Sequence, residues 1–244
     1  MEMTKIQLDL QTGNMPEPDR LRKVATGLDA AVTEWESLMT RLRLSSDFQT
    51  REYAKLTQAL LETHGMTTDG IAKMMRWQSG CMMAMANNSP PPMIPPELDL
   101  MKLMQQSESQ KRPPSITSMT AAEKITANPF TGEEDVFESP NIRTEYENLC
   151  RDHSALIEMG ASYANFDPSG KIAFIDEMEK IEDRWDVFFA RFQLLGKMNK
   201  TFIRQCNDFL SSMGMDEEQY RKLLKKAHQI MREDAERERN SMVL

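Results

Sequence analysis

Along most of the chain, apolar residues recur at spacings of three and four and rarely alternate. From Pro168 they fall at Ile172, Ile175, Met178, Ile181, Trp185, Phe188, Phe189, Phe192 and Leu195. That period marks one face of an α-helix and predicts a long amphipathic helix, with Asp167 and Pro168 suited to its first turn. A second helix carries Phe202, Ile203, Cys206, Phe209, Leu210 and Met213 before Gly214 stops it. A third carries Tyr220, Leu223, Leu224, Ala227, Ile230 and Met231. Ahead of Pro168, Ile142, Tyr146, Leu149, His153, Leu156, Ile157 and Tyr163 share a further helical face. No segment has a convincing period of two, so the expected fold class is all-α.

The pattern occurs twice. Sliding the N-terminal half over the C-terminal half sets Pro18 on Pro168, Leu28 on Met178, Trp35 on Trp185 and Arg41 on Arg191. After a one-residue gap, Tyr53 meets Phe202, Gly65-Met66 meets Gly214-Met215, and Met74-Met75 meets Leu223-Leu224. A kept apolar phase with Trp, Arg and Gly-Met in register predicts two tandem related helical-bundle modules. The expected organisation is an N-terminal segment 1–17, module 1 over 18–87, a linker over 88–137, module 2 over 138–237 and a tail 238–244. In each module Gly-Met reads as a joint: glycine ends one helix, and Thr67 or the Asp216/Gln219 pair caps the next. The linker holds most of the prolines, with polyproline-like starts at Pro90–Pro92, and a short helix is expected over 97–106.

The two copies disagree in two places. Module 1 lacks a counterpart of the helix carrying Ile142 to Tyr163. Its third helix, "IAKMMRWQSGCMMAMANN", is apolar almost all round. Trp77 stands where copy 2 has Lys226, Met83 where it has Arg232, and Met85 where it has Asp234. A helix apolar all round is covered on more than one side. The cover is expected to be copy 2, the linker helix with Leu98, Met101 and Met104 on one face, or another protein. The predicted partner-binding residues are therefore Trp77, Met83, Met85, Leu98, Met101 and Met104. Exposed methionine-rich surfaces adapt to partners.

The C-terminal copy resembles a small all-α domain family of unknown function from cyanobacteria and plastid-bearing lineages. The resemblance spans about residues 137–235 and covers copy 1 weakly. It rests on Leu156, Met159, Gly160, Tyr163, Phe166, Asp167, Gly170 and Lys171, on the later Arg191, Phe192 and Leu194, and on the Gly-Met turn. It implies a photosynthetic setting, either cytoplasm or plastid stroma, and transfers no catalytic residue.

Candidate chemistry is sparse. No Glu has a His three residues later, and His64, His153 and His228 lie on different helices without Cys or acidic residues at ligand spacing. Phosphate-loop and nucleophile-elbow motifs are missing. The carboxylates over 176–183 lie opposite the apolar stripe and read as a solvated face. "FDPSGK" reads as an N-cap before Pro168 rather than a phosphate loop. The expectation is no metal, no cofactor and no catalytic residue.

Composition narrows the class. The 244 residues carry a net charge of −8, which argues against a nucleic-acid surface. No apolar run approaches the roughly 18 residues of a membrane span. The opening "MEMTKIQLDLQTG" has neither a basic nor an apolar signal region. Cys81, Cys150 and Cys206 read as reduced core thiols. The expected function is a non-enzymatic interaction or assembly protein that binds another protein or complex, or itself. A small-molecule-binding protein or enzyme with a pocket between the modules is the first alternative. A ribosome- or RNA-associated factor using "YRKLLKKAHQIMRE" is the second.

Overall fold

The computed structural model describes residues 14–63, 65–95, 127–132 and 134–242, together with Ile6, Asp9 and Ile125. Seven α-helices and no strand occur among the described residues, so the chain is all-α. They are α1 (Pro18–Leu44), α2 (Phe48–Thr63), α3 (Thr68–Ala86), α4 (Pro140–Gly160), α5 (Pro168–Leu194), α6 (Lys200–Ser212) and α7 (Glu217–Ser241). Among the described residues, no helix is long and apolar enough to cross a membrane.

Both Gly-Met joints have the same local structure. Gly65 and Gly214 sit at φ +66° and +70°, the left-handed region that lets a helix end without a Cβ clash. The Met66 N–H donates to the Leu61 carbonyl at 2.9 Å, and Met215 donates to Leu210 at 3.2 Å. The next helix is then capped by a side chain. Thr67 accepts from the Gly70 N–H, and Asp216 with Gln219 forms a capping box. Asp167 caps α5 in the same way, through the Gly170 N–H. The α1 and α5 helices, aligned in the sequence, are each 27 residues long.

The chain divides into two compact units. In the first, α1 packs on α3. Arg22 near the start of α1 meets Ala86 and Asn87, Ala25 meets Ser79, Glu36 meets Arg76, and Arg43 meets Thr68. The helices are therefore antiparallel. Buried Ala25, Val32 and Met39 on α1 recur by heptads, as do Ala72, Ser79 and Ala86 on α3, which is the repeat of a coiled-coil seam. The small residues of α3 let the backbones approach, and the buried Ser79 hydroxyl is satisfied by the Ala25 carbonyl at 3.0 Å. Ile6, Leu21 and Ala86 close one end, with Met82 and Met85 packed against them.

The second unit takes Ser45–Ala59, not only the C-terminal helices. The module boundary expected at 138 and the module 1 span of 18–87 therefore do not match the contacts, for a physical reason. Phe48, at the start of α2, is fully buried among Tyr163 and Phe174, with ring centroids at 5.2 and 4.8 Å. The Ala164 N–H donates to the Ser46 carbonyl at 3.1 Å. Gly160 ends α4 against Phe48: a Cβ there would lie 3.2 Å from the Phe48 Cβ. Part of the expected linker also belongs to this core. Phe130 is buried against Phe137, Tyr146, Phe188 and Phe192. The Pro129 carbonyl accepts from the Asn199 N–H at 2.9 Å. The short helix expected over 97–106 lies outside the described residues.

Within the second unit α5 and α7 are antiparallel and joined by ion pairs along their length. Lys171 meets Glu238 at 2.6 Å, Arg232 meets Asp176 at 2.5 Å, and Arg221 meets Asp186 at 2.7 Å. Of the 176–183 carboxylates, Asp176, Glu179 and Glu182 are thus half-buried against α7, whereas Glu177 and Asp183 are exposed.

Two substitutions test the packing, both read as urea-unfolding midpoints. Ala25→Leu overfills the α1–α3 seam and is expected to cost about 1–3 kcal/mol, whereas removing the exposed Glu36 carboxylate costs less than about 1 kcal/mol. Phe48→Ala is expected to destabilise the second unit by about 3–5 kcal/mol, the cost of an aromatic cavity in a core.

Candidate functional site

The apolar stripe of α7 is interrupted by His228, whose side chain has 0% exposure. A fully buried imidazole needs partners for both ring nitrogens. Nε2 lies 2.5 Å from Glu52 Oε1, a carboxylate supplied by α2. Nδ1 is buried and has no hydrogen-bond partner among the described residues. It faces two carboxylates of α5, Glu179 Oε1 at 3.7 Å and Glu182 Oε2 at 3.9 Å. Glu179 and Glu182 are one helical turn apart and so share a face. Phe48 closes another side of the ring, with centroids at 6.0 Å. One turn beyond His228, Arg232 holds Asp176 at 2.5 Å and the other Glu179 oxygen at 3.0 Å. The α5 residues lead out to an open depression of about 310 Å³, also lined by Asp183, Lys225, Gln229 and Arg232.

The electrostatics follow from three carboxylates and one imidazole held away from water. Burial pushes the Glu182 carboxyl up to about 7; the His228 charge pulls it down, while Glu52, Glu179 and Asp186 push it further up. Burial opposes the charged form of His228, but the Glu52 hydrogen bond and the Glu182, Glu52 and Glu179 carboxylates outweigh it, and its pKa rises. On α4, burial lowers the pKa of His153 while Glu52 works against that shift. Glu182 thus exchanges its proton near neutral pH, while the carboxylates favour the charged form of His228; strongly perturbed groups of this kind mark a candidate functional site. Glu52, Glu182 and His228 each bring one donor atom within 4.8 Å of the others, a set able to hold a metal ion.

Sequence reasoning missed this cluster because it looked for ligands at local spacing. Glu52, Glu182 and His228 come from three helices, and only the fold brings them together. The one local signal was a histidine embedded in the apolar face of α7 opposite an acidic run.

The predicted partner-binding residues lie elsewhere. Trp77 is half-buried and donates its Nε1–H to the Pro92 carbonyl at 3.2 Å, so the start of the proline-rich segment lies on it. Met85 packs against the Leu21 cluster, and Met83 is half-buried outside that cluster. Leu98, Met101 and Met104 lie outside the described residues. Trp185 stacks on Phe189 at 5.0 Å, as expected for a core residue. Arg191 pairs with Glu145 of α4 at 3.0 Å. In the stretch that suggested nucleic acid, Arg221 and Arg232 pair with α5 carboxylates, and Lys225 lies 3.6 Å from Asp183.

The shifted groups set a pH dependence. Glu182 has a folded pKa above its unfolded value, so its contribution to stability is complete below about 4.5 and is lost as pH rises through about 7. His228 shifts in the same direction, so its contribution also fades above its unfolded pKa. In buffer containing EDTA the protein is expected to be more stable at pH 5.5 than at pH 8. Glu182→Gln should remove about 1 kcal/mol of that difference, a figure discounted for the 30% of the side chain that reaches solvent. Thermal unfolding midpoints across this range check it.

Comparison with known proteins bears on the C-terminal half. Neither a curated protein nor a solved structure matches the chain. Residues 134–235 match the model of a domain of unknown function, DUF1825. That segment contains Glu179, Glu182 and His228, and it leaves out Glu52.

Proposed function

We propose that the chain is a non-enzymatic helical interaction or assembly protein whose first unit presents the methionine-rich face of α3 to a partner. One observation carries the reading. The buried residues of α3 are Ala72, Ser79, Ala84 and Ala86, all small, while Met74, Met75, Trp77 and Met83 are only half-buried and stand outside the Leu21 cluster. A helix normally buries its largest apolar side chains first. Here the close seam with α1 uses the small ones and leaves flexible thioethers at the surface, where they adapt to another protein. Beside them Met93 is 93% exposed, next to the Pro92 that covers Trp77. Apolar, adaptable and partly exposed surface of this kind suits the apolar face of a partner helix. The proposed setting is photosynthetic cells, in cytoplasm or plastid stroma, a reading supported by the resemblance of the C-terminal copy alone.

A second reading, a ligand-binding or catalytic protein, finds support in the His228 cluster rather than in an inter-module pocket. Two substitutions separate surface from core. Met83→Arg, the residue copy 2 has, should abolish recovery of a partner in a pull-down read by mass spectrometry. Helix content by circular dichroism should not change. Met85→Asp should instead lower stability, because Met85 packs on the Leu21 cluster. Partner recovery unchanged by Met83→Arg would overturn the reading.

A further inference from the structure

We propose that Glu182 and His228 bind one divalent first-row cation of the Mn²⁺, Fe²⁺ or Zn²⁺ class, with Glu179 beside them and Glu52 orienting the imidazole. The inference goes beyond the interaction role and does not depend on it.

Three observations carry it. First, His228 is fully buried, yet Nδ1 makes no hydrogen bond and points between two carboxylates. Its distances to Glu179 and Glu182, 3.7 and 3.9 Å, are too long for hydrogen bonds. They match a different arrangement. Two donor atoms each about 2.1 Å from a shared cation lie about 3–4 Å from one another. Second, Glu52 sits on the opposite ring nitrogen at 2.5 Å. A carboxylate that accepts from Nε2–H fixes the neutral tautomer and leaves the Nδ1 lone pair free to ligate, which is how metal-binding histidines are commonly held. Third, the charge has no structural necessity. The sequence alignment that sets Trp35 on Trp185 and Gly65 on Gly214 puts Val32 opposite Glu182 and Ser79 opposite His228. Val32 and Ser79 are buried in a seam that closes with one hydroxyl and no charge. Two helices of this kind thus pack without a buried imidazole ringed by carboxylates. Arg232 already pairs with Glu179, and a cation at Nδ1 supplies positive charge beside Glu182. One imidazole with carboxylates suits Mn²⁺, Fe²⁺ or Zn²⁺ better than Mg²⁺ or Ca²⁺, which take oxygen ligands and water. The depression beside Glu179 and Glu182 gives the ion a way in.

The test uses the full chain, stripped with EDTA and dialysed at pH 8. MnCl₂ is titrated while free Mn²⁺ is read by electron paramagnetic resonance and the unfolding midpoint by fluorimetry; ZnCl₂ is run in parallel on the midpoint. About one equivalent of Mn²⁺ should bind, and the midpoint should rise by several degrees. His228→Gln and Glu182→Gln should each weaken affinity at least tenfold, and Glu52→Gln less than either. Asp183→Asn, in the same depression, should change it less than twofold. Glu182→Gln keeps the test valid if His228→Gln fails to fold, since it relieves buried charge. The proposal is overturned if 1 mM MnCl₂ and ZnCl₂ leave the midpoint unmoved with no Mn²⁺ bound. It is equally overturned if Glu182→Gln retains full affinity, or if MgCl₂ competes as strongly as ZnCl₂.

Discussion

The second unit turns on one costly act, the complete burial of His228 against carboxylates from two other helices. An imidazole without water needs a partner at each nitrogen; Nε2 has Glu52, and Nδ1 faces Glu179 and Glu182 without a hydrogen bond. Glu52 ties the start of α2 to α7, while Glu179 and Glu182 set the rotation of α5 about its axis. Once that rotation is set, the flanking pairs fall into place: Lys171 with Glu238 at one end, Arg221 with Asp186 at the other. These outer pairs are partly exposed and contribute little each. The buried centre specifies the register because an error there would strand charge in the core.

The two units show two ways of closing an antiparallel helix pair. In the first, alanines and a serine let α1 and α3 come close, and the polar inventory of the seam is a single satisfied hydroxyl. In the second, aromatic rings fill the core on one side of α5, from Phe130 to Phe192, and an acidic stripe meets α7 on the other. The first solution leaves large apolar side chains of α3 at the surface. The second leaves charge inside. Each excess is a feature that packing alone does not require, which makes the surface of one unit and the centre of the other the places to look for activity.

Much of this architecture was legible in the sequence. The period of three and four located every helix from α4 to α7, and the capping residues Thr67, Asp167 and Asp216 marked true starts. Gly65 and Gly214 marked true ends, because a left-handed residue is a local demand that glycine meets locally. What failed was anything decided by long-range contact. Phe48 and Phe130 carry no sign that they belong to the core built by Phe174 and Phe188. Asn128-Pro129-Phe130 reads as linker because proline and asparagine favour irregular backbone, and irregular backbone packs well once its carbonyls find donors such as Asn199. The acidic run of α5 reads as solvated for a similar reason: polarity alone does not say whether the opposing helix presents water or a histidine.

The residues that α2 contributes change how the matched domain should be understood. Residues 134–235 supply the imidazole and two of the three carboxylates around it, but not Glu52, the one within hydrogen-bond distance. The same stretch leaves a hole that Phe48 fills, between Tyr163 and Phe174, with Gly160 shaped to admit it. Phe48 and Glu52 lie one turn apart on α2. A single short helix thus delivers the apolar plug and the carboxylate together, and neither works alone: without the plug, water reaches the ring and screens Glu52; without Glu52, the plug seals in an imidazole with both nitrogens unanswered. The compact unit around the matched domain is therefore larger than the matched segment, because it also takes Ser45–Ala59.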